Sequence, residues 1–294
     1  MKPFMRRLAV LPVPKCIKRP VRRTIEGWRY VTAPWRVLPD FVCIGAQKAG
    51  TSALYRYLAE HPRIAPSWWK ETVFFGKRFG KGERWYRSHF PLVFVKRMKV
   101  RGGRSAYLAG EASPDYMCHP AVPRRMHALI PGARLIALLR NPVDRAISHY
   151  YHEVRKGHEP LSLEEALNRE QERLQADNER RRRDPEYYGY AHQHYTYATR
   201  GIYVDHLKRW HAYFPPEQLL VVKSEWFFAQ PGEAYKRILD FLGVPHRLPR
   251  RFAPHNVGTY PEAEQGVRER LQAFFEPHNQ RLYEYLGVDW RWEQ

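Results

Sequence analysis

The stretch FVCIGAQKAGTSALYRYL, from Phe41 to Leu58, joins an apolar run to a turn bounded by Gly45 and Gly50, then to Leu54, Tyr57 and Leu58 at helical spacing. A strand, a glycine turn and a helix in that order aim backbone N–H groups at one point, and Lys48 adds a positive charge there. That combination predicts an anion site of the phosphate kind. The loop departs from GxxxxGK[ST], because Lys48 stands two residues before the second glycine, and Thr51-Ser52 follow that glycine directly. A magnesium-bound triphosphate also needs an acidic residue closing another apolar strand. RLIALLR ends instead in Arg140, and LLVVKSE places Lys223 and Ser224 before its acid. No GxGxxG is present, so a dinucleotide reading has little support. A phosphate held without a metal is the expectation; a bland strand-turn-helix is the alternative, since glycine turns are common.

Working outward, the apolar runs FVCIGA (41–46), AYLAGE (106–111), RLIALLR (134–140) and LLVVKSE (219–225) suit buried parallel strands, with segments of helical period between them. The expected fold class is α/β, a single domain whose central parallel sheet is flanked by helices. The domain is expected to span 39–294, with long insertions at 61–105 and 161–199. Residues 1–38, rich in Arg, Lys and Pro, read as a basic, loosely ordered arm, either solvated or in contact with a membrane or partner. The 294 residues carry a formal charge of +20, spread along the chain, which suits a polyanionic partner or substrate. Cys16, Cys43 and Cys118 are too scattered for a disulfide framework or a zinc site. No run of 18 apolar residues appears.

A second constellation is LLRNPVDRAISHYYHE. Arg140 closes a strand, where ligands bind in open α/β sheets. Asn141-Pro142 opens a helix, and Ser148 lies eight residues beyond Arg140, about two turns into that helix. The guanidinium suits a phosphate; a structural ion pair with Asp144 or Glu153 would account for it equally well.

Together these segments carry a resemblance. GAQKAGTSALYRYL resembles the 5′-phosphosulfate-binding loop of the sulfotransferase superfamily, and LLRNPVDRAISHYY resembles its 3′-phosphate element. KETVFFG (70–76) is similar to the segment bearing the catalytic glutamate in heparan-type and related bacterial sulfotransferases. The likeness continues in GEASPDY, RGIYVDHLKRW, FPPEQLLVVKSE and FFEPHNQRLYEYLG, covering roughly residues 39–290. It implies a P-loop-like sulfotransferase fold, 3′-phosphoadenosine 5′-phosphosulfate as cosubstrate and no metal. By the same likeness Gln47, Lys48, Ala49, Gly50, Thr51 and Ser52 would hold the 5′-phosphate, and Arg140 and Ser148 the 3′-phosphate. Asn256 and Gly258, in HNVGTY, would belong to a loop closing over the nucleotide. Lys48 would stabilise charge on the leaving phosphate oxygen, and Glu71 would be the base, with Lys70 beside it. Some relatives have a lysine after the glutamate of the GEASP-like segment; Ala112 stands there in this chain. His89, His119 or His149 could serve as base instead, as a histidine does in the phenol- and steroid-directed branch.

The resemblance leans toward a carbohydrate-type acceptor with a hydroxyl or amine to modify; a lipid, phenol or other small molecule is the alternative. A nucleic-acid-binding protein is the competing class, supported by charge and by RRRR at 180–183, but no recognition motif accompanies them. The same arginines suggest an anionic acceptor, with a solvated face as the plainer account. With no anchor in sight, a cytoplasmic and bacterial enzyme is expected. The aromatic pairs Trp68-Trp69, Phe74-Phe75 and Trp85-Tyr86, and Tyr203, read as core before ligand platform.

Overall fold

The computed structural model describes residues 15–100, 106–253, 263 and 265–293. In chain order its principal elements are α1 (Lys15–Val31), β1 (Phe41–Gly45), α2 (Thr51–Glu60), β2 (Ile64–Pro66), α3 (Gly82–Arg87), α4 (Val93–Val100), β3 (Leu108–Ala112), α5 (Val122–Leu129), β4 (Arg134–Leu139), α6 (Pro142–Arg155), α7 (Leu163–Asn168), α8 (Glu170–Arg183), α9 (Tyr190–His194), α10 (Tyr203–His211), β5 (Leu219–Lys223), α11 (Ser224–Ala229), α12 (Pro231–Leu242) and α13 (Gln265–Leu286). The five strands form one parallel sheet in the order β2-β3-β1-β4-β5. Four of them coincide with the expected apolar runs. β1 and β3 are buried at every residue, as strands covered on both faces must be. Phe41 pairs with Gly110 and with Arg134 on its two sides. A Cβ at Gly110 would lie 2.2 Å from the Phe41 ring, so the strand needs glycine there.

Helices cover both faces. Leu54, Tyr57 and Leu58 of α2 are buried in the main core with Tyr235, Ile238, Leu239 and Leu242 of α12. A second core joins Val143, Ala146 and Ile147 of α6 to Val267, Leu271 and Phe275 of α13. The aromatic pairs divide: Phe74, Phe75 and Tyr86 are core, whereas half-buried Trp69 and Trp85 meet edge-on and pack against buried His89.

Residues 15–38 differ from the loosely ordered arm expected of 1–38. Seventeen of them, Lys15–Val31, are helical. Buried Arg29 donates to the carbonyls of Ser88 (2.7 Å) and Phe90 (3.0 Å), and buried Arg36 donates to Phe90 (2.7 Å). Arginines spent on main-chain carbonyls are a fixed structural tie, which a high count of Arg and Pro conceals.

Candidate functional site

Chain order along the sheet reverses at β1: β2 and β3 lie on one side of it, β4 and β5 on the other. Ligands in open α/β sheets bind at the carboxyl edge beside such a reversal. Residues 46–50 leave β1 there and Arg140 leaves β4. The two loops meet, with Arg140 Nη1 donating to the Lys48 carbonyl at 3.4 Å.

A cleft of about 830 Å³ opens at this edge. Gln47, Lys48, Gly50, Thr51, Ser52, Glu71, Arg140 and Ser148, eight residues expected at the site, all line it. Ala49 is buried beneath, its carbonyl accepting from Ser224 Oγ at 2.9 Å. Asn256 and Gly258 lie outside the described residues.

Gly50 caps α2 with φ 94°, a conformation that L side chains rarely adopt. A Cβ here would sit 2.6 Å from the ring of Phe228. The turn delivers the first amides of α2, which have no intrahelical acceptor, to the cleft. Lys48 itself has φ 71°. Burial pushes its ammonium down to about 8, with Arg155, Arg140 and Lys156 adding repulsion and Glu153 opposing them. A site that disfavours its own cation in this way favours a dianion beside it. Arg140 is not committed to the ion pair that would make it merely structural: Asp144 stands 3.9 Å away and is held closer, at 3.0 Å, by Arg268. Ser148 is on α6, whose start is made as expected, Asn141 accepting from Val143 N at 2.9 Å.

Glu71 faces the cleft from the loop after β2. Lys70 Nζ lies 2.5 Å from its carboxylate and 2.7 Å from Ser52 Oγ, tying the base candidate to the phosphate loop. Glu71 and Val73 both have positive φ, 59° and 49°. Such a backbone, unfavourable for Val above all, persists only where its surroundings over-determine it. They do: fully buried Glu111, at the end of β3, accepts from Thr72 (2.5 Å), Tyr86 (2.7 Å), Ser113 (2.9 Å) and Tyr116 (3.1 Å), and Ser113 Oγ in turn accepts from Val73 N at 3.1 Å. Burial raises the Glu111 carboxyl, and the four hydroxyls work against that rise. The glutamate of GEASPDY is thus the anchor of the Glu71 loop.

The three histidines weighed as alternative bases are not on the cleft wall. Burial drives His89 down to about 4, His119 to about 3 and His149 well below its ordinary range. His152 and His194 do line the cleft, with Lys77, Asp115, Lys156 and Glu225, and none of these was singled out from the sequence. Arg200 was missed too: it is buried and donates to Gln47 Oε1 (2.8 Å), Asp115 Oδ1 (2.8 Å) and Tyr188 OH (2.6 Å), clamping the phosphate loop to the opposite wall. Tyr203 is core, as expected, and its hydroxyl donates to the Arg140 carbonyl at 2.8 Å. The arginines at 180–183 close α8, and none of them lines the cleft. The cleft's own cations are Lys48, Lys70, Lys77, Arg140 and Lys156.

Glu153 is buried, and its Oε2 is 2.7 Å from Nδ1 of both His158 and His194. Burial would raise this carboxyl, but those hydrogen bonds and the Lys156 charge outweigh it and hold it at about 2. One ligand atom from each of the three residues lies within 4.8 Å of the others, close enough to hold a metal ion. The hydrogen bonds already satisfy the carboxylate without one. Among the described residues no helix is long and apolar enough to cross a membrane.

Comparison with known proteins agrees with this geometry. A family model described as Sulfotransferase domain matches residues 38–254. The chain is similar to the membrane-associated sulfotransferase kil1 of Dictyostelium discoideum, at 25% identity over 87% of this chain and 67% of that protein. It is also similar to human heparan sulfate glucosamine 3-O-sulfotransferase 6, at 27% identity over 87% of this chain and 74% of the relative. Among solved structures, a sulfotransferase from Alicyclobacillus acidocaldarius matches with a TM-score of 0.65 and 31% identity, over 88% of this chain and 100% of the other.

Proposed function

Because the chain belongs to the sulfotransferase domain family, we propose that it moves a sulfuryl group from 3′-phosphoadenosine 5′-phosphosulfate to a hydroxyl or amine of a carbohydrate-type acceptor. The observation that carries this reading is the meeting of Lys48, Arg140, Ser148 and Glu71 on one cleft. In the proposed step the acceptor oxygen or nitrogen attacks sulfur as the bond from sulfur to the bridging phosphate oxygen breaks. Glu71 takes the acceptor proton. Lys48 and the first amides of α2 stabilise the charge that develops on the leaving 5′-phosphate. Arg140 and Ser148 hold the 3′-phosphate and so fix the register of the donor. The cleft wall carries five cations and five carboxylates, so its attraction for the donor's phosphates rests on Lys48 and Arg140 where the two loops meet and not on a net field, and its volume is within the range of small-ligand sites.

The carbohydrate assignment draws on the heparan sulfate relatives, whose acceptors are glycans by name. Incubation with labelled phosphosulfate donor and a panel of glycans, phenols and lipids tests it. Label on a glycan, with release of adenosine 3′,5′-bisphosphate, is expected. Label confined to a phenol or lipid would overturn the carbohydrate assignment, and failure to bind the bisphosphate at all would overturn the donor.

A further inference from the structure

Exposed large apolar side chains gather in one region. Of the fifteen among the described residues, eight lie in the segments Trp28–Trp35 and Phe94–Val100. Trp35 is 65% exposed and Phe94 66%. α4 (Val93–Val100) buries none of its residues, and Phe94 and Met98 lie one turn apart on it. The two segments are neighbours: Arg36 bridges Leu92 in antiparallel fashion, and Val37 N donates to the Pro91 carbonyl at 3.0 Å. Arg29 and Arg36, buried between them, make this platform rigid.

The apolar groups are interleaved with cations. α1 (KCIKRPVRRTIEGWRYV) has six basic residues against one carboxylate, Glu26, which Arg22 already pairs. α4 (VFVKRMKV) has three and no acid. Lys96 pairs with Asp40, yet basic residues still far outnumber acids on the two helices, and aromatic and aliphatic groups fixed among them match the interfacial zone of an anionic bilayer, where rings sit at headgroup level and cations meet lipid phosphates. A protein partner of ordinary composition would not ask for so uniform a sign of charge.

We propose that α1, Trp35 and α4 form a docking face on which the protein rests peripherally against an anionic phospholipid membrane. The face is joined to the acceptor side of the cleft. Arg29 stacks over Trp68 (4.8 Å) and Arg22 over Trp69 (5.2 Å), and these tryptophans directly precede Lys70 and Glu71. Docking therefore brings the base-bearing loop close to the bilayer surface.

The charge of +20 would draw the whole molecule to any anionic surface, so the decisive variant leaves charge unchanged. The full chain is sedimented with vesicles of phosphatidylcholine alone and with phosphatidylserine added, at ~0.1 M salt, where the Debye length is about 10 Å. Strong partition onto the serine-containing vesicles is expected. Trp35→Ser with Phe94→Ser should lower it at least tenfold, while Phe274→Ser, an exposed aromatic on α13, should leave it unchanged. Affinity for adenosine 3′,5′-bisphosphate, measured on each variant, reports that the fold survives. Equal partition of the double variant and wild type overturns the proposal, as does an absence of binding to anionic vesicles. Self-association in wild type that the double variant abolishes, without vesicle binding, would assign the face to a second copy and overturn it equally. None of these readouts depends on which acceptor the enzyme uses.

Discussion

Raising the pH from 7 to 9 should weaken binding of adenosine 3′,5′-bisphosphate about tenfold, through Lys48. Its ammonium is pushed down to about 8, first by burial and then by Arg155, Arg140 and Lys156. A base whose folded pKa is depressed keeps its charge only below that value. The free site is then charged at pH 7, half charged at pH 8 and mostly neutral at pH 9. A bound phosphate dianion raises the pKa again, so binding takes up about half a proton at pH 8, and affinity falls about twofold from pH 7 to 8 and about fivefold more from pH 8 to 9. The ligand contributes little to this dependence, since the second pKa of a phosphate monoester is near ~6 and its ionisation is almost complete by pH 7. Calorimetry in two buffers of different ionisation enthalpy measures the uptake directly. Lys48→Arg is the control, because a guanidinium stays charged throughout: its affinity, whatever is lost in fit, should be flat from pH 7 to 9. Wild-type binding that is flat over this range, or a Lys48→Arg variant that declines in parallel, would refute the assignment of the charge to Lys48.

Glu71→Gln keeps the shape and removes the basicity, so kcat should fall by about two orders of magnitude with bisphosphate affinity nearly unchanged, read by steady-state turnover beside calorimetry. Arg140→Ala should cost nucleotides bearing a 3′-phosphate about 1.5 to 3 kcal/mol and those lacking it much less, with Ser148→Ala acting in the same direction to a smaller extent; equal losses for both classes would make Arg140 structural. Glu111→Gln sets an amide against hydroxyls that now donate to a carboxylate and should cost about 1.5 to 3 kcal/mol in denaturant unfolding, with a drop in kcat through the Glu71 loop. Gly50→Ala, which must find room beside Phe228 at a positive φ, should weaken the bisphosphate at least tenfold in the same calorimetry.

What the sequence displayed was whatever is local along it. Lys48, Gly50, Thr51 and Ser52 sit within one turn, and Arg140 and Ser148 are joined by a strand end and two helical turns, so spacing alone places them. β2 escaped notice because three residues ending in proline do not make an apolar run. The order of α1 escaped because it comes from Arg29 and Arg36 binding carbonyls more than fifty residues away, which composition reports only as positive charge. Arg200 clamps Gln47 from 153 positions along the chain, and His194 reaches Glu153 from 41. No periodicity encodes either contact. The alternative histidines looked eligible by type, but His89, His119 and His149 are all buried, which neither a turn nor a helical spacing announces.

Each working part of the cleft hangs from a different strand end. Lys48 follows β1, Glu71 follows β2, Asp115 follows β3 and Arg140 follows β4, while Ser224 and Glu225 follow β5. On the proposed reading, donor grip and acceptor chemistry sit on opposite wings of the sheet, β1, β4 and β5 against β2 and β3, joined directly by Lys70 to Ser52 and by Arg200, which bridges Gln47 and Asp115. Such a layout lets the acceptor wing be re-tooled by drift or by design while the donor wing stays intact. Grafting a foreign 67–81 loop onto this scaffold is the economical route to a new acceptor, provided Glu111 still finds a hydroxyl where Thr72 now stands.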